Sequence, residues 1–69
     1  MNELISKIRE YAKAQDLDKL VDAGFELEDM PHNTFEQRLV KETILNLIED
    51  AYNGSREAYQ AIIRNCDQF

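Results

Sequence analysis

Phe25-Glu26-Leu27-Glu28-Asp29-Met30-Pro31-His32 alternates apolar and acidic residues up to a proline. A period of two is the pattern of a half-buried strand. A strand needs partners, since even an isolated two-stranded hairpin is marginal in water. No second stretch of this kind occurs in the 69 residues. The stretch is therefore expected to be part of an extended connector, residues 24–32, with Phe25, Leu27 and Met30 turned inward. The rest of the chain then reads as all-α: one domain over 1–69, a small bundle of about four helices.

Working upstream, Asp16 caps a short second helix over 16–23, with Leu17, Leu20 and Val21 buried. Gly24 supplies the left-handed residue that ends it. Before that, Leu4, Ile5, Ile8, Tyr11 and Ala12 gather into one stripe and predict a first helix over 2–14. Downstream, Asn33 or Thr34 opens a third helix over 33–53, where Asn33 and Glu36 fit a capping box and Gly54 marks the stop. At 100° per residue, Val40, Leu47, Ile48 and Ala51 fall within about 60° of Ile44. Leu45 and Tyr52 lie on one flank, and Phe35 and Leu39 lie towards the back. So wide an apolar arc exceeds one core-facing stripe. The third helix is then the central one, or it meets a partner, with Leu45 and Tyr52 as a candidate homodimer interface. Ser55 is expected to cap a fourth helix over 55–68, whose inward stripe is Tyr59, Ile62, Ile63 and Cys66, with Ala58 and Phe69 near it.

A chain this short buries only about 60% of the surface its unfolded form exposes. Comparable domains add disulfides, a metal or a partner subunit. Cys66 is the only cysteine and His32 the only histidine, so an internal disulfide and a zinc cluster are both excluded. Tight helix packing, or association with itself or another protein, is left. The start, Met1-Asn2-Glu3-Leu4-Ile5-Ser6-Lys7, breaks its apolar residues with charge at once and shows no signal-peptide core. No apolar run approaches the roughly 20 residues that span a bilayer. These features point to a cytoplasmic protein.

The supply of chemistry is thin. His32 lies beside Pro31 with no positioned partner for general acid–base work. Cys66 falls on an apolar stripe as a small hydrophobe, and no glycine-rich turn presents Ser6 or Ser55 as a nucleophile. With glycine only at 24 and 54, there is no phosphate-binding loop or dinucleotide fingerprint. A calcium loop fails in both registers: starting at Asp16 puts Val21 where glycine is required, and starting at Asp18 puts Ala23 there. The eight basic residues are scattered, whereas phosphate contacts need them clustered. The chain is thus expected to be no enzyme, with no cofactor, metal or catalytic residue, no small-molecule substrate and no direct nucleic-acid contact.

What stands out is charge. Asp16, Asp18, Asp22, Glu26, Glu28 and Asp29 are six of the fourteen carboxylates, opposed only by Lys19, in a chain of net charge −6. Acids at the start of the second helix suit its dipole and keep a small domain soluble. Glu26, Glu28 and Asp29 have no such reason. Interleaved with Phe25 and Met30, the segment reads as a docking surface for a basic, nucleic-acid-handling protein. The chain would modulate or inhibit that partner in the manner of acidic phage or mobile-element inhibitors that imitate DNA. The short second helix, Phe25-Glu26-Leu27-Glu28-Asp29 and the later Arg38-Leu39 also resemble the Hha/YmoA modulators of nucleoid proteins over about half the chain. The connector is shorter than in that family, and Tyr59 stands nearest the place of its tryptophan. The resemblance implies action through a DNA-binding partner. An obligate homo-oligomeric structural or regulatory protein built on Leu45 and Tyr52, a nucleoid-protein modulator included, is the alternative.

Overall fold

The computed structural model describes residues 3–69, which form four α-helices and no strand. They are α1 (Glu3–Ala14), α2 (Leu17–Asp29), α3 (Phe35–Tyr52) and α4 (Glu57–Cys66). Each packs on two neighbours in a closed ring: α1 and α3 both contact α2 and α4, while the diagonal pairs do not meet. The expected small all-α bundle is what the chain forms. The expected helix start at Asn2 lies outside the described residues.

Ile5, Ile8, Leu20, Leu27, Ile44 and Ile62 are the largest fully buried side chains, drawn from all four helices. Burying a side chain of this size is worth about 1.5–3 kcal/mol. Ala12, Ala23, Ala51 and Ala58 let the helices approach closely, and no polar or charged described residue is buried. The stripes read for α1, α3 and α4 are the ones that turn inward.

The second helix is the main correction. α2 does not stop at residue 23 but continues through Asp29. Gly24 is no terminator; it sits mid-helix and buried, where an added Cβ would lie 3.3 Å from Ile48 Cδ1. Leu20, Ala23, Gly24 and Leu27 make one i, i+3, i+4, i+7 stripe against the core. The connector expected over 24–32 therefore shrinks to residues 30–34. The apolar–acidic alternation lies within the last turns of a helix. Leu27 is fully buried as expected, but Phe25 is 64% exposed and points outward. Met30 caps α2, half-buried against the core, and its carbonyl accepts a hydrogen bond from Lys41 Nζ.

The left-handed residue assigned to Gly24 is needed one helix earlier. Gln15, at φ +54°, ends α1 in a Schellman arrangement, with Gln15 N–H donating to Ala12 O (3.1 Å) and Asp16 N–H to Tyr11 O (3.0 Å). Gly54, at φ +106°, does the same for α3: Gly54 N–H donates to Ala51 O and Ser55 N–H to Asp50 O, each at 3.0 Å. Because Ser55 closes α3, it does not cap α4. That helix begins two residues later behind Arg56, which offers no side-chain cap. At the start of α3 the capping pair is Thr34 and Gln37 rather than Asn33 and Glu36. Thr34 Oγ1 accepts from Gln37 N–H (3.1 Å), and Gln37 Oε1 accepts from Asn33 N–H (2.9 Å).

Candidate functional site

Continuing α2 to Asp29 places every acid from Asp18 onward on one helix and sorts them by direction. Asp16 is structural: Oδ1 accepts from Lys19 N–H (3.3 Å), and Oδ2 lies 3.8 Å from Lys19 Nζ. Asp18 stands in the first turn, where the dipole favours it. Asp22 and Glu26 turn towards α1 and share a small cleft with Lys7, Lys19 and Tyr11. Lys19 Nζ there lies 5.9 Å from the centre of the Tyr11 ring. Phe25 and Glu28 turn the other way, towards α3.

On that side an open cleft of about 530 Å³ runs between α2 and α3. Val21, Gly24, Phe25 and Glu28 form one wall; Leu45, Asn46, Ile48, Glu49 and Tyr52 form the other. Gly24 and Ile48 lie against each other in its lining, where the absent side chain lets α2 and α3 approach closely. Phe25 and Tyr52 stand beside it, 64% and 67% exposed. The cleft thus joins residues that sequence reasoning had kept apart: Phe25 and Glu28 as partner-binding, Leu45 and Tyr52 as an oligomer interface. Val21, Gly24, Asn46, Ile48 and Glu49 were missed. Their signal was present, since 21, 25, 28 and 45, 49, 52 are matching i, i+4, i+7 sets, but the first set is visible only once the helix runs past Gly24.

The electrostatics are one-sided. Residues 20–29 and 42–52 contain Asp22, Glu26, Glu28, Asp29, Glu42, Glu49 and Asp50 and no lysine or arginine. The other seven carboxylates and all eight bases fall elsewhere and nearly cancel. Neither α2 nor α3 has a base in its last turn. Glu26, Glu28 and Asp29 stand at the negative end of the α2 dipole, where each carboxylate is disfavoured by about 0.3–1 kcal/mol. Among the described residues none of the three makes an ion pair; the pairs formed are Arg9–Asp67, Lys13–Glu10, Lys19–Asp16 and Arg38–Glu42.

A larger cleft, about 630 Å³, lies between α3 and α4 beside the exposed Leu39. Two of its polar side chains are engaged within their own helices: Thr43 Oγ1 donates to Leu39 O and Asn65 Nδ2 to Ala61 O, each at 2.8 Å. Cys66 is buried, and that burial, with Asp67 adding to it and Arg9 opposing, pushes its thiol pKa up to about 11. A thiol so shifted is a poor nucleophile at neutral pH. His32 is exposed in the α2–α3 connection. Among the described residues no group of acids, His and Cys is placed to hold a metal, and no helix is long and apolar enough to cross a membrane. Comparison with protein-family models, curated proteins and solved structures finds no match to the chain.

Proposed function

We propose that this chain is a small acidic protein-interaction module that binds a basic, nucleic-acid-handling protein and modulates or inhibits it. The observation that carries the reading is the last turn of α2. Glu26, Glu28 and Asp29 oppose the helix dipole and make no ion pair among the described residues, and Glu28 stands on the wall of an apolar cleft that also lacks a base. In a domain whose core is marginal, acids that weaken their own helix find their use in the field they project. A one-signed face raises the local concentration of an oppositely charged surface and speeds its encounter. A protein that grips phosphates carries such a surface, and an acidic face seated on it excludes the nucleic acid.

The reading is tested by capture from a nuclease-treated lysate of the source cells, comparing the wild-type chain with a Glu26→Lys, Glu28→Lys, Asp29→Lys variant of unchanged circular dichroism. The wild type should retain a basic nucleic-acid-binding protein that salt releases and whose nucleic-acid binding it competes. The variant should not. Equal retention by the two chains would overturn the proposal.

A further inference from the structure

We infer that the α2–α3 cleft is the seat of the partner's apolar anchor, and that its occupant is a basic amphipathic helix. This rests on the proposed function and specifies the contact through which it acts. The cleft runs between two helices and is walled over about two turns of each, from Val21 to Glu28 and from Leu45 to Tyr52. Seven residues of helix span about 10 Å, enough for an apolar pair at i and i+4, whose Cβ atoms lie about 5–6 Å apart. Laying the apolar face of one helix into a groove between others is a recurring mode of recognition.

Three features identify the occupant. The cleft is lined by Val21, Leu45 and Ile48 between its two aromatic rings, so the anchor is a bulky aliphatic or aromatic side chain. Phe25 and Tyr52 are rigid, exposed aromatic posts; rings of this kind bury large areas at low entropic cost and can also take a guanidinium over their faces. The charged members of both walls are Glu28 and Glu49, so the flanking residues of the anchor are lysine or arginine. The same charge disfavours a second copy of this chain. Joining two such clefts face to face would oppose Glu28 and Glu49 with their counterparts in a chain of net charge −6.

The probe is a fluorescent helical peptide of about four turns, with leucines at i and i+4 and lysines flanking them, titrated with the full chain and read by anisotropy. A matched peptide carries glutamate in place of lysine. Phe25→Ala with Tyr52→Ala should weaken binding by about tenfold or more, as loss of a central aromatic pair does. Glu28→Lys with Glu49→Lys should weaken it comparably. Glu10→Lys with Glu57→Lys changes net charge equally but lies outside the cleft, and should move affinity by less than about twofold, as expected of distant charges screened by salt. All four aromatic and acidic targets are exposed or at the surface, and circular dichroism verifies that each variant folds. If both charge-reversal pairs weaken binding alike and the aromatic pair does not, the acidic-module reading stands and the cleft is overturned. If the lysine and glutamate peptides bind alike or not at all, both fall. If light scattering shows a dimer that Phe25→Ala and Tyr52→Ala dissolve, the occupant is a second copy and the inference is wrong.

Discussion

Gln15 holds a backbone conformation that glycine adopts at no steric cost, and Gly24 occupies a helix interior where alanine is the better former. Each glycine-related choice has a physical cause. At position 15 the Schellman closure of α1 demands φ near +54°, which a side chain tolerates poorly. Gln15→Gly should therefore stabilise the domain by up to about 1 kcal/mol. In a domain this small that raises the melting temperature by several degrees, since about 4–8 °C accompanies each kcal/mol. A lower melting temperature would show that the Gln15 side chain supports the fold. Nothing in the sequence marks this position, because glutamine is unremarkable and the left-handed geometry is imposed by where α2 must begin.

At the scale of elements, hydrophobic period made three helices legible. Ile5, Ile8 and Ala12, then Ile44, Ile48 and Ala51, then Tyr59, Ile62 and Cys66 fall on the stripes that the structure buries. The second helix was half legible. Its first turns announce themselves with Asp16, Leu17 and Leu20, but Gly24 imitates a stop, and Phe25 to Met30 imitate a strand. Counting the glycine as a small core residue restores the pattern, since Leu27 stands seven positions beyond Leu20. Gly24 is there for close approach to α3. An alanine Cβ would lie 3.3 Å from the terminal methyl of Ile48, the far end of a flexible side chain that must give by only a few tenths of an ångström. The helix-propensity gain of about 0.8–1.0 kcal/mol then outweighs the adjustment, and Gly24→Ala should raise stability in a urea titration. A fall would mean that Ile48 is locked and that the α2–α3 contact has no slack. The candidate site was legible as residues and illegible as a place. Phe25, Glu28, Leu45 and Tyr52 were each singled out, but only the continued helix brings them to one cleft.

For the molecule as a whole, the decisive property is how charge is arranged around the ring of helices. Among the described residues the core is apolar and the four ion pairs lie at the surface, where such pairs contribute little. Stability therefore comes from packing, and the acids of the α2 last turn make no ion pair among the described residues. On the proposed function, Glu26, Glu28 and Asp29 serve a partner and not the fold. Equilibrium urea unfolding of a Glu26→Gln, Glu28→Gln, Asp29→Asn variant measures it without any partner present. Removing three carboxylates from the negative end of a helix should leave the unfolding free energy unchanged or raise it by up to about 1 kcal/mol. A loss of more than about 1 kcal/mol relative to the wild type, at the scale of a broken structural contact, would show that these acids hold the bundle together and would contradict the account.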